Sequence, residues 1–190
     1  MNGRQEAIAQ IREFIESDNQ GMLLTGTHQL QKHLLVMAVI GNYFTGKSGL
    51  FRIDSLSNTT HPAYVNLAEQ PKAGEAGRLL NCHYTFDAST RVDTWRKTKV
   101  IPFNFAIVYP IDWMIREQKL EPLIELTRYR DIGKVFYISC KDSACCDYSL
   151  INGLYQQHVV LDCEEGEPEY HERVLAAYRE RPGEFSYACN

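Results

Sequence analysis

The chain has 190 residues and a formal net charge of −4, with 44% hydrophobic and 23% charged residues. That composition is ordinary for a globular domain with a full apolar core, and it excludes a uniformly basic, nucleic-acid-coating surface. The longest apolar run, Leu34 to Ile40, is far too short to span a bilayer, and the first residues, MNGRQEAIAQIREF, carry no apolar signal region, so a cytoplasmic protein without membrane contact is expected.

Residues Arg4 to Ser17 place Ile8, Ile11, Phe14 and Ile15 at helical spacing, and SDNQG ends that helix. Met22 to Gly26 reads as a short buried strand closed by a glycine. A buried helix is expected from about Gln29 to Phe44, because the stretch is apolar on nearly every face. Thr45 to Ser48 is then a turn and Gly49 to Asp54 a strand. Residues 55–100 form a loop-rich insertion within one domain spanning 1–190, with a weak strand near Leu79 to Phe86 and a short helix over Val92 to Lys99. Phe103 to Tyr109 is a strong strand closed by Pro110. Ile111 to Arg128 is helical with a restart at Glu121-Pro122. Lys134 to Cys140 and His158 to Asp162 are strands, Asp147 to Tyr155 a short helix, and Glu169 to Arg179 the closing helix. Apolar strands alternating with helices predict an α/β fold: a mostly parallel sheet with helices on both faces. Ligands in such sheets bind beyond the carboxyl ends of the strands. The polar groups expected there are Thr27 to His33, Asp54, Asp112 and Ser139 to Asp142.

Two loops compete for one chemistry, phosphate binding. Gly41-Asn42-Tyr43-Phe44-Thr45-Gly46-Lys47-Ser48 fits G-x-x-x-x-G-K-[ST] fully, while Gly26-Thr27-His28-Gln29-Leu30-Gln31-Lys32-His33 fits with two substitutions. A phosphate loop needs a strand before it and a helix after it. The segment after Lys47, GLFRIDSLSNTTHP, is a poor helix, so context favours the upstream loop.

With those elements in order, the chain resembles the P-loop nucleoside-triphosphatase superfamily, in its RecA-like and AAA+ branch. The resemblance rests on the strand Met22 to Thr25, the loop Gly26 to His33, the strand Phe105 to Tyr109 followed by Asp112, and the strand ending at Ser139-Cys140. It implies a nucleotide site, ATP or another nucleotide, using Gly26, Thr27, Lys32, His33 and Asp112. Gln31 stands where the family has its second glycine, and His33 where it has the magnesium-ligating Ser or Thr. An imidazole suits that hard cation poorly. Asp112 lies beyond Pro110 and Ile111 rather than directly after its strand. The implied protein is a binding or regulatory subunit with weak or absent ATP hydrolysis. It would dock on a protein partner, an active ATPase or a second copy of itself. The alternative is an active small ATPase or phosphotransferase using Gly41, Gly46, Lys47 and Ser48, with magnesium on Ser48.

A third reading makes the aromatic and basic stretch, Tyr84, Phe86, Trp95, Phe103 and Phe105 beside Arg91, Arg96, Lys97 and Lys99, a nucleic-acid contact. The bland reading packs those rings in the core. Arg128, Arg130 and Lys134 are expected to offset a helix dipole. The six cysteines are read as free thiols. A zinc site on Cys140, Cys145 or Cys146, Cys163 and His83 has loose spacing, and no metal is assigned.

Overall fold

The structure, a computed structural model, describes residues 2–98, 101–140 and 146–180. Its helices are α1 (Arg4–Glu16), α2 (Lys32–Tyr43), α3 (Val92–Thr98), α4 (Asp112–Arg116), α5 (Glu121–Arg128) and α6 (Pro168–Glu180). Its strands are β1 (Gly21–Thr25), β2 (Ser48–Ile53), β3 (Ala76–Leu79), β4 (Cys82–Ala88), β5 (Phe103–Tyr109), β6 (Ile132–Ile138) and β7 (Gln157–Val160). Single 3₁₀ turns cover Leu56–Thr60 and Tyr148–Ile151. The second of these lies where a short helix is expected over Asp147 to Tyr155.

The seven strands form one sheet in the order β3-β4-β2-β5-β6-β1-β7. Each pairing is parallel except β3 with β4, which is a hairpin. The strand expected near Leu79 to Phe86 is therefore two strands, and β4 lies inside the sheet, paired on both sides. Alternation along the strands sorts the core. Met22, Leu24, Phe51, Ile107 and Phe136 face α1 and α2, whereas Leu23, Leu50, Val108, Val135 and Tyr137 face α4 and α5. Helices on both faces leave the central parallel strands largely buried, as their apolar runs require.

Helix α2 is the element on which the two candidate loops turn. Leu34 to Ile40 is helical, and Leu35, Val36, Met37, Val39 and Ile40 are buried. Gly41 lets this helix close on the β3–β4 turn, since a Cβ there would lie 2.6 Å from the Leu80 carbonyl oxygen.

On the opposite face a charged network is sealed into the core. Arg52 in β2 is fully buried. It donates from Nε and Nη2 to the two oxygens of Asp87, at 2.8 and 2.7 Å. From Nη1 it donates to Glu125 Oε2 and the Pro122 carbonyl, at 3.0 and 2.7 Å. Arg130 completes the group, giving Nε to Glu125, Nη1 to Thr98 Oγ1 and Nη2 to the Trp95 carbonyl. Burial works against the Arg52 charge, but Asp87 and Glu125 outweigh it and hold its pKa above the ordinary value. The Arg52 guanidinium also lies 4.7 Å from the centre of the Trp95 ring. So Arg130 anchors α5 to α3 and β4, and the helix whose carboxyl end it meets is α3, through the Trp95 carbonyl. Lys134 serves a different helix from the one expected. From β6 its ammonium donates to the carbonyls of Phe14, Ser17 and Asn19 and closes the carboxyl end of α1.

Among the described residues no helix is long and apolar enough to cross a membrane. Replacing Arg52 by Ala leaves Asp87 buried without its bidentate partner. The expected loss is about 3–5 kcal/mol of unfolding free energy, read by urea denaturation.

Candidate functional site

Strands β1 and β6 are neighbours, but the chain leaves them in opposite directions. From β1 it crosses through α2 to β2, and from β6 it crosses past β1 to β7. The crevice beyond their carboxyl ends is therefore a switch point, where open α/β sheets take ligands. Gly26, Thr27, Lys32 and Asp112 meet at this edge.

Gly26 turns the chain out of β1 with φ +121°, and a Cβ on it would lie 2.2 Å from the Leu161 carbonyl oxygen. The β1–β7 ladder continues past the strand end: Leu161 N–H donates to the Thr25 carbonyl at 2.8 Å, and His28 N–H to the Leu161 carbonyl at 3.1 Å. Thr27 N–H donates to Asp162 Oδ1 at 2.9 Å. Two loop amides are thus held by the β7 end. Leu30 takes φ +58°, a region uncommon for a branched side chain, just before α2 begins.

Lys32 opens α2 and is fully buried. Its ammonium donates to the Gly26 carbonyl at 2.6 Å and to the Cys140 carbonyl at 3.2 Å. The lysine therefore ties the loop to the end of β6. Asp112 ties β5 to the same place: its Oδ2 accepts from the Cys140 N–H at 2.6 Å, and its Oδ1 from the Tyr148 hydroxyl at 3.3 Å. Burial and the Asp112 carboxylate push the Tyr148 phenol far above its ordinary pKa, so it stays a donor.

His33 is fully buried in α2. Its ring stacks on Tyr109, the last residue of β5, with centroids 3.9 Å apart. Nε2 lies 2.8 Å from the Tyr64 carbonyl, which only accepts, so Nε2 carries the proton and Nδ1 the lone pair. Desolvation lowers the His33 pKa to about 4, and the ring is neutral at pH 7. Tyr64 packs edge-on against Tyr109, which completes an aromatic plug.

Asp54, at the end of β2, turns into the 3₁₀ segment and is held by Ser55 N–H and Asn58 Nδ2. Ser139 and Cys140 follow β6; Lys141 and Asp142 lie outside the described residues. Gly41, Gly46, Lys47 and Ser48 are divided among the end of α2, an exposed turn and the first residue of β2. Thr45 Oγ1 donates to the Gly41 carbonyl, Gly46 N–H to the Asn81 carbonyl and Lys47 N–H to the Phe44 carbonyl. No helix follows them, only β2.

The aromatic stretch is inside: Tyr84, Phe86, Trp95, Phe103 and Phe105 are all buried, while Arg91 pairs with Asp93 at the surface. Lys99 lies outside the described residues. The residues considered for zinc are scattered, since His83 enters β4 at the amino edge and Cys140 follows β6 at the carboxyl edge. Cys145 lies outside the described residues. Cys82, Cys140, Cys146 and Cys163 are free thiols.

Four residues at this edge were not singled out for it by sequence: Tyr109, Tyr148, Asp162 and His171, whose Nδ1 lies 2.7 Å from Thr27 Oγ1. Asp162 alone had a signal, a carboxylate ending the strand HVVLD at the ligand-binding edge.

No family model matches the chain, and no curated protein does. Among solved structures it is similar to the large terminase from the thermophilic bacteriophage D6E, crystal form 2, with a TM-score of 0.57 at 7% identity. The match covers 95% of this chain and 51% of that one, so the chain spans about half the length of its neighbour. The fold is P-loop-NTPase-like α/β.

Two measurements check this geometry. Gly26→Ala forces a side chain into a left-handed turn against Leu161 and is expected to cost about 1–3 kcal/mol in a denaturation experiment. His33 gives a pH dependence of definite sign. Its folded pKa of about 4 lies below the ordinary 6.5, so the unfolded chain takes up the proton first on acidification. The stability is complete above pH 6.5 and falls as the pH drops towards 4, by about 3 kcal/mol. His28 and His158, also lowered by burial, act in the same sense. Urea titrations at pH 7 and pH 4.5 should show a smaller loss for His33→Phe than for the parent protein.

Proposed function

We propose that this protein is a degenerate P-loop protein, a binding or regulatory subunit for a protein partner, with weak or absent ATP hydrolysis. The observation that carries the reading is the His33 plug. Where the family has a hydroxyl for magnesium, this chain has a neutral imidazole stacked on Tyr109 and hydrogen-bonded to Tyr64. Magnesium demands oxygen ligands in near-octahedral array and keeps much of its water. The stacked imidazole of His33 supplies no oxygen in place of that hydroxyl.

The other parts agree. The Asp112 carboxylate accepts from Cys140 and Tyr148, a role in holding β5 to β6 rather than in ordering a hydrated cation. The residues present do not fit a magnesium–nucleotide complex, and no hydrolytic step is assigned to them. A nucleotide without its metal would have to be held by loop amides that Asp162 and Leu161 now engage. On this reading the partner is an active ATPase or a second copy of the chain.

The purified protein, assayed with ATP and excess magnesium, should show turnover no faster than buffer, and Lys32→Ala should leave that baseline unmoved. Brisk magnesium-dependent hydrolysis lost on Lys32→Ala defeats the reading. Hydrolysis lost on Lys47→Ala but kept on Lys32→Ala would restore the Gly41–Ser48 alternative.

A further inference from the structure

Thr27 sits within the loop, yet its side chain is fully buried. A hydroxyl has one proton to give and two lone pairs. Here Thr27 Oγ1 accepts from the Cys163 N–H at 3.2 Å, lies 3.1 Å from Asp162 Oδ1, and lies 2.7 Å from His171 Nδ1. An ionised carboxylate only accepts, so the hydroxyl proton goes to Asp162. His171 must then donate from Nδ1. That assignment uses the whole capacity of the hydroxyl.

His171 is buried in α6, well away in sequence from the loop it touches. Asp162 Oδ1 also receives the Thr27 N–H, and the second oxygen of that carboxylate is fixed by Asn2 Nδ2 at 3.1 Å. The chain His171–Thr27–Asp162 therefore locks the loop from one side, as Lys32 does from the other. The same contacts keep the Thr27 and His28 amides facing Asp162 and Leu161.

We infer that α6 is an autoinhibitory latch: the His171–Thr27 hydrogen bond keeps the loop closed, with its amides turned away from any phosphate. The inference rests on reading residues 26–33 as a phosphate loop. With the latch released, the Thr27 and His28 amides and the Lys32 ammonium become free to turn towards an anion of the pyrophosphate class.

The test uses the full chain, His171→Ala, and Thr27→Val, which keeps the buried shape but lacks the hydroxyl. Circular dichroism and melting temperature establish that each variant is folded, and Thr27→Val carries the test if His171→Ala is not. Amide hydrogen exchange over residues 26–31 should quicken by about tenfold or more in either variant. Calorimetric affinity for inorganic pyrophosphate should rise by about tenfold, and adding Lys32→Ala should remove that gain. Unchanged exchange in a folded variant overturns the latch itself. Quickened exchange with pyrophosphate affinity equal to that of the parent protein overturns the phosphate-loop reading beneath it, and with it the inhibitory role.

Discussion

A parallel sheet gathers the carboxyl ends of its strands at one edge, and the polar groups stranded there need partners that the strands cannot supply. This chain satisfies them with a seam that runs across four strands. Ile111 N–H reaches the Ile138 carbonyl, Asp112 reaches the Cys140 amide, and Lys32 bridges Cys140 to Gly26. Thr27 then carries the seam to Asp162 at the end of β7. Each link joins the end of one strand to the end of its neighbour, so the seam positions the loop and also determines what the loop has left to offer.

The second fixed point is the Arg52 network on the other face. An ion pair in a low-dielectric interior loses much of its attraction to desolvation, and it persists only when nearly every donor is met. Arg52 and Arg130 meet that condition through Asp87, Glu125, Thr98 and the carbonyls of Trp95 and Pro122. The network fixes α3 and α5 over β2 and β4. The cleft between these helices, about 590 Å³ and lined by Trp95, Leu120, Ile124 and Tyr129, lies beside this network and not at the switch-point edge. The two polar systems therefore divide the labour: one sets the frame and the other the loop.

The fold was legible where pattern and burial speak the same language. The run Leu34 to Ile40 admits a strand or a helix by pattern alone, and the poor helix former after Lys47 tipped the reading to the buried helix that the structure has. The parallel order followed from alternating elements. What stayed hidden depends on pairs far apart in the chain. Nothing local in GLFRID marks Arg52 as buried, because its partners Asp87 and Glu125 are 35 and 73 positions away. Lys134 was assigned to the wrong helix end because the sequence cannot show that α1 ends beside β6. His171 gave no sign of its role, since a histidine on a charged closing helix has no local feature that names Thr27 as its partner.

The two loops illustrate why spelling alone is a weak guide to phosphate chemistry. They lie at opposite ends of the same helix. The imperfect one, Gly26 to His33, leads into the amino end of α2, where the positive pole of the dipole favours an anion. The fully matching one, Gly41 to Ser48, begins in the last turn, where the pole is negative and the Gly41 carbonyl accepts from Thr45. Lys47 adds a charge there, but it is exposed and heads a strand that aligns no amides on a ligand. A phosphate at that turn would face carbonyl oxygens, so the same eight-residue pattern carries opposite electrostatics at the two ends of α2. Position on the helix, and not the match itself, separates the two loops in what they can offer an anion.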